Sequence, residues 1–503
     1  MKKRSDIPLY LYCLAVSTVF LLLLSKSSPL YPFNDWVDVH CFYTVGKSIL
    51  DGLIPYQDIY EQKGPILYFL FAAAAAISRD SFLGVWLLET LFFSFYLFFN
   101  GKCAQVHLGN SRWVYAIVLI LAPITMLCTA FLYGSGAEEL CLWTLSYSLY
   151  KFDLAFHEKR LLSSAEAFKI GLCAAFCLYI KFTLLGFFLG LAVFVLIWYL
   201  SFEKNGKALP ATIFSFLGGI AAASVPIFLY FIIHRALGDF LTAYFYNNLF
   251  LYQDDLGMYS NRVTFFIACL WTTFNKNLEF SIPLLIGVLW LIRSHKEKRN
   301  TMFTVILCGA LLALSTFGGG RIYRYYPMPF VVFSIYGLIA SSLWLRKKPG
   351  RKVKDFFGQK LWFSGVLCIC AVLLLVCSFF LSDNTYMLSY DRQDMAQFRF
   401  AEYIRQKEDA TLLNYGSLDF GMYYTADSTP NCKFFCELNI PLLEMYDMQR
   451  QFVEEGKTDF VVIRDRTLES TGMDCSHYRL VEECTSTYEV RDATFYLYEK
   501  VSS

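Results

Sequence analysis

The sequence predicts an all-α polytopic membrane protein of about eleven transmembrane helices, followed by a small C-terminal α/β domain. Three observations predict it. Of 503 residues, 56% are hydrophobic and 17% charged, and the mean hydropathy is +0.43. A water-soluble domain cannot hide that much apolar surface. Apolar runs of spanning length recur between residues 9 and 381, and short basic clusters alternate with acid-bearing turns between them. Basic loops mark the cytoplasmic side. The formal net charge is +2 with no long basic block, so the composition points to no nucleic-acid partner.

The first run, 9–28, follows Met1-Lys2-Lys3-Arg4 and lacks a small-x-small exit, so it reads as an uncleaved span with the N-terminus inside. Residues 29–81 form a long outer loop, whose apolar part, Ile66 to Ile77, is short for a span and reads as an interfacial helix. Further spans are expected at 82–100, 113–131, 140–156, 166–180, 184–200 and 212–233. A second long outer loop, 234–278, is rich in Tyr, Asn and Asp. The remaining spans are 279–292, 301–317, 327–345 and 361–381. Arg293–Arg299 and Arg346–Lys352 are the strongest inside signals. Residues 1–382 therefore form the membrane module and 383–503 an extracytoplasmic domain. In the latter, Asp394 to Arg405 has helical spacing, and 411–415, 459–463, 478–483 and 494–499 read as strands. Cys432, Cys436, Cys475 and Cys484 allow one or two disulfides there, with three pairings open. Zinc fits them poorly, because no CxxC pair is present and no nearby His fits the ligand spacing.

The chemistry-bearing residues gather on the expected outer side. Asp35 and Asp38 follow the first span, and a carboxylate held there suits proton abstraction from a sugar hydroxyl. The ordinary alternative is a solvated loop acid or helix cap. Asp58, Glu61 and Lys63 lie in the same loop, and Glu138 and Glu139 in the next outer turn. These acids suit an acceptor site or a support for it; a divalent cation with oxygen ligands is compatible with them but not required. Lys181 interrupts an apolar stretch, which is costly unless its ammonium reaches water or an anion. Glu89, within the second span, reads as a buried partner for a cation. Arg321 and Arg324, after three glycines, are spaced to grip a phosphate, against the alternative of an interfacial Arg/Tyr belt. Lys63 is a fourth phosphate-binding candidate. A base plus cations for a departing phosphate describes sugar transfer from a polyprenyl-phosphate carrier.

In order and kind, these motifs resemble the GT-C superfamily of integral membrane glycosyltransferases, nearest to bacterial relatives of the protein O-mannosyltransferase and aminoarabinose transferase group. Asp38 is followed by Phe42 and Gly52, much as the family's catalytic Asp is followed by an aromatic and a Gly. Lys63-Gly64-Pro65 looks like the family's Lys-Pro-Pro turn, and Lys181 like its phosphate-facing lysine. Tyr323-Arg324-Tyr325-Tyr326 stands where the family has a Tyr-x-His-Tyr element, with Arg for His. The family's arginine near the second span is missing; Glu89 lies there instead. The resemblance implies an inverting glycosyltransferase of the cell membrane. Asp38 would be the general base, with Asp35 the second choice. The donor would be a lipid-linked sugar, and the acceptor a cell-envelope glycan, lipid or protein. The competing readings are a flippase or transporter of lipid-linked glycans, and an oligosaccharide polymerase or ligase of related fold.

Overall fold

Helices stand at every predicted span. A computed structural model describes residues 6–252, 255–257, 259–347, 360–489 and 491–501. Part of the expected basic loop, 348–352, lies outside the described residues. Among the described residues, seven helices are long and apolar enough to cross a membrane by length and composition. Of the other predicted spans, Trp113–Met126, Ser164–Leu178 and Leu278–Arg293 are shorter helices, and Ala137–His157 is long enough, at 21 residues, but carries Glu138, Glu139, Lys151 and Asp153. The expected interfacial helix is Pro65–Ile77, begun by Gly64 and by a proline at its first position, where the missing N–H costs nothing. The second long loop is largely helical, over Leu237–Leu251 and Arg262–Lys276.

The chain folds as two compact units. The first comprises 1–25, 89–225 and 254–385, and holds most of the long apolar helices. Helix Leu185–Ile197 packs on helix His295–Phe317 through Gly186 and Gly190. A Cβ at Gly190 would come within 2.6 Å of the Cys308 backbone. Small residues four apart thus permit the backbone approach typical of membrane helix pairs.

The second unit joins 26–88 and 226–253 to 386–503. Helix Val37–Leu50 lies against helix Pro65–Ile77, and a Cβ at Gly46 would meet the Ala72 backbone at 2.6 Å. The C-terminal part contains a four-stranded sheet of order β1-β2-β4-β3, with β1 Leu412–Tyr415, β2 Phe460–Arg464, β3 Tyr478–Tyr488 and β4 Arg491–Lys500. β1 and β2 run parallel, which requires a crossover, supplied by helix Leu443–Glu454. β2 is buried along Phe460–Ile463, whereas the β3–β4 hairpin alternates buried and exposed positions, as expected of a covered strand and a one-sided hairpin. The predicted helix near 394–405 is Ala396–Ile404. The four C-terminal cysteines are free thiols; Cys436 faces Cys41, sulfur to sulfur, at 3.9 Å.

Candidate active site

Within the second unit, the two candidate bases have different surroundings. Asp35 is 1% exposed and fully engaged. Its Oδ1 accepts from Lys26 Nζ at 2.6 Å; its Oδ2 accepts from Tyr386 Oη at 3.1 Å and from the Glu489 backbone N–H at 3.0 Å. An ion pair and two further donors thus commit both oxygens of this carboxylate within the protein. Asp38 lies in the first turn of helix Val37–Leu50 and is 8% exposed. Of the two, Asp38 is the carboxylate without a hydrogen-bond or ion-pair partner among the described residues.

The loop carrying both acids is fixed by Asn34. Its Oδ1 accepts from the Trp36 N–H at 3.0 Å, and its Nδ2 donates to Ser27 Oγ at 2.9 Å. Its carbonyl meets His40 Nε2 at 2.5 Å. A carbonyl only accepts, so Nε2 carries the hydrogen; Nδ1 is buried without a partner. The ring stacks on Phe33 at 4.8 Å. Burial pushes the imidazole down to about 4, so His40 is neutral and serves as a wedge behind the loop.

Asp58 and Glu61 serve the loop itself. Asp58 accepts from the Ile54 N–H at 2.8 Å and closes a turn in which Tyr56 has φ 71°. Glu61 is buried and takes the Tyr68 hydroxyl and, at 2.8 Å, the Lys63 N–H. Lys63 Nζ lies 5.8 Å from the centre of the Phe42 ring.

In the first unit, Lys181 is ion-paired to Glu138 and sits over the rings of Tyr326 and Tyr325, at 4.0 and 4.8 Å. A buried ammonium in an apolar stretch thus has a carboxylate and two π-faces. Arg321 donates from Nη1 to the Tyr323 hydroxyl at 3.2 Å. Arg324 is more than half exposed and 4.0 Å from Asp383. Glu89 differs from expectation. Its carboxylate accepts from Ser25 Oγ at 2.7 Å and the Ser135 N–H at 3.0 Å, beside Glu139, rather than pairing with a cation. A hydroxyl and a turn N–H satisfy it, with no cation paired to it among the described residues. Both Glu139 oxygens are buried without a hydrogen-bond partner.

Among the described residues, Cys103, His107 and Asp153 form the one group of three whose ligating atoms lie within 4.8 Å of one another. His107 Nε2 meets Asp153 at 3.0 Å, and Lys298 approaches Nδ1 at 3.2 Å. Cys103 and Thr301 donate to the same carboxylate at 3.1 and 2.8 Å. This is a closed hydrogen-bond network in which Asp153 takes His107, Cys103 and Thr301, and Lys298 lies against the other ring nitrogen of His107, a poor fit to a metal ion.

The sequence reading missed three residues that share the surroundings of Asp35: Arg464 at the end of β2, and Tyr488 and Glu489 at the β3–β4 turn. No motif marks them; only the pairing of the hairpin brings them there.

No protein-family model matches the sequence, and no curated protein matches it. Among solved structures, ArnT from Cupriavidus metallidurans superimposes on nearly the whole chain. Its crystal structure bound to undecaprenyl phosphate gives a TM-score of 0.62 at 10% identity, covering 98% of both chains. The apo state gives 0.60 at 12% identity, covering 98% of this chain and 97% of ArnT. At such identities the likeness is one of fold alone: this chain has the ArnT fold.

Proposed function

We propose that this chain is a glycosyltransferase of the membrane that moves a sugar from a polyprenyl-phosphate donor to a cell-envelope acceptor on the outer face. The observation that carries this reading is the division of labour between the two acids. Asp35 is consumed by Lys26, Tyr386 and Glu489, whereas Asp38, at a helix N-terminus, has no hydrogen-bond or ion-pair partner among the described residues. The fold shared with ArnT, whose structure holds undecaprenyl phosphate, supports a lipid-linked donor.

In the proposed reaction, Asp38 takes the proton of the acceptor hydroxyl. The oxygen attacks the anomeric carbon as its bond to the phosphate oxygen breaks, and polyprenyl phosphate leaves with the electron pair. Lys181, Arg321, Arg324 and Lys63 are the cations assigned to the phosphate. Glu138 holds the Lys181 ammonium ready, and the tyrosine rings keep it from wandering. One base and no covalent nucleophile give a single displacement with inversion. Asp58 and Glu61 shape the loop. In this reading the N-terminus is cytoplasmic and residues 383–503 lie outside the membrane on the acceptor's side.

The test uses the purified protein in detergent. The tritiated lipid-linked sugar pool extracted from host membranes is the donor, and washed envelope the acceptor. Sugar incorporated and polyprenyl phosphate released should appear in equal amounts, with the anomeric configuration inverted. The same protein reconstituted in sealed vesicles supplies the second arm: relocation of intact donor across the bilayer, with no cleavage there or in detergent, would mark a transporter and end the proposal.

A further inference from the structure

Three helices of the first unit border a groove that the transfer reaction leaves unused. Helices Leu83–Leu108, Ala137–His157 and Ser164–Leu178 line a volume of about 400 Å³. Each presents a stripe at helical spacing. Phe98, Phe99 and Lys102 come from the first, Trp143, Tyr147 and Lys151 from the second, and Lys169 and Leu172 from the third. Asp6, at the start of the first helix, completes the rim.

The cations gather at one end. Lys102 and Lys151 lie 5.9 and 5.0 Å from the centre of the same ring, that of Tyr150. Lys151 is also 3.6 Å from Glu166, one turn before Lys169. The side chains of Lys102 and Lys151 are only 16% and 20% exposed. The acids nearby are too few for them. Asp6 answers Lys102 at 2.7 Å. Glu166 is already gripped by two nitrogens of Arg160, at 2.7 and 3.0 Å, which leaves Lys151 a distant third. Lys169 has no ion pair among the described residues. The groove therefore carries unspent positive charge at its mouth.

Further from that end, Tyr147 and Trp143 follow on successive turns of one helix face. Phe99 meets the Tyr147 ring edge-on at 5.0 Å. Tyr147 Oη and Trp143 Nε1 are both buried without a hydrogen-bond partner. An interfacial belt of lysines and aromatic rings accounts for the cations and the rings. It leaves two buried donors unmade, and each calls for an acceptor.

We propose that this groove is a binding site for an anionic diacyl phospholipid. The phosphate sits on Lys151 and Lys169, the ester carbonyls accept from Tyr147 Oη and Trp143 Nε1, and an acyl chain lies along Phe98, Phe99 and Leu172. Cation, then donor, then apolar ring is the order of a phospholipid read inward from its head group. A polyprenyl phosphate offers the phosphate and the tail but no carbonyl for the two donors.

The test is native mass spectrometry of the purified full chain in detergent, titrated with dioleoyl phosphatidylglycerol or, as the zwitterionic control, dioleoyl phosphatidylcholine. One phosphatidylglycerol per chain should bind about twentyfold more tightly than phosphatidylcholine, the worth of two unspent lysines. Lys151→Gln/Lys169→Gln should erase that preference. Lys169→Gln alone, at an exposed position where the fold is not at risk, should leave a preference of about fourfold. Trp143→Phe/Tyr147→Phe keeps the rings and should weaken both lipids about tenfold. Equal binding of the two lipids overturns the proposal, as does a preference unchanged by Lys169→Gln or an affinity unchanged by the Phe pair. Displacement of the lipid by inorganic phosphate would reduce the groove to a phosphate pocket. Polyprenyl phosphate bound as tightly as phosphatidylglycerol, and lost in the same lysine variants, would make it a carrier site. Either result overturns the phospholipid assignment.

Discussion

Lys26→Met should loosen the link between the first loop and the β3–β4 turn. Lys26 and Asp35 have side chains 0% and 1% exposed, with Nζ and Oδ1 2.6 Å apart. Lys26 Nζ also donates to Tyr386 Oη at 3.0 Å. Methionine keeps the stem and removes the charge, leaving Asp35 buried with only the Tyr386 hydroxyl and the Glu489 N–H. Deleting one partner of a buried pair costs about 3–5 kcal/mol, because the other charge is stranded. At 1.36 kcal/mol per tenfold, that is roughly two to three and a half decades in the local opening equilibrium. The Glu489 amide, which donates to Asp35 itself, is the reporter. Hydrogen exchange followed by mass spectrometry over residues 485–491 should show that loss of protection. Lys26→Met/Asp35→Leu, which removes both charges, should recover most of it. Unchanged protection in Lys26→Met would refute the ion pair as the clasp of this loop.

Other outcomes follow from the same geometry. Lys181→Met should raise the donor KM roughly ten- to a hundredfold, the worth of a charge-assisted hydrogen bond to phosphate, while Glu138→Gln, which keeps the cation, should cost less; both are read from donor saturation curves. Asp58→Ala should keep near-normal sugar transfer and lose about 1 kcal/mol in unfolding free energy, because its carboxylate only closes a turn. His40 is held neutral down to about pH 4, whereas an exposed imidazole binds its proton near 6.5. The unfolded chain therefore takes up that proton first as pH falls. Its stabilising contribution is fully present above 6.5 and declines by about 3 kcal/mol on the way to 4. His40→Phe should flatten that limb of the stability curve, measured by denaturant unfolding across the range.

Hydrophobic run length and the sign of the loops made the membrane helices legible, because both are local properties of the chain. Helix Ala396–Ile404 and the four strands were legible for the same reason: the helix through period 3.6, β1 and β2 as short apolar runs, and β3 and β4 through alternation. The apolar run Ile66 to Ile77 located helix Pro65–Ile77 to within a residue. What stayed hidden was pairing over long separations. Lys26 read as part of a span exit, yet it is the counter-ion of Asp35. The choice between Asp35 and Asp38 turned on that pair and on Tyr386, 351 residues from Asp35. Glu489 sits in a two-residue turn with no motif, and only the β3–β4 register aims it at the loop. Glu89 looked like a cation's partner because a lone acid in an apolar helix is costly; a serine and a turn N–H from other segments satisfy it instead.

The rate of sugar transfer by Asp38→Asn, set beside that of Asp35→Asn in the same membranes, bears most directly on the catalytic loop. Asparagine at 38 keeps the shape and removes the basicity, so transfer should fall by about 10²- to 10⁴-fold with folding intact. Asparagine at 35 should act through lost protection of the 485–491 amides, with activity falling in step with the folded fraction. Full transfer by Asp38→Asn, or a loss confined to Asp35→Asn in well-folded protein, would contradict the assignment of the base.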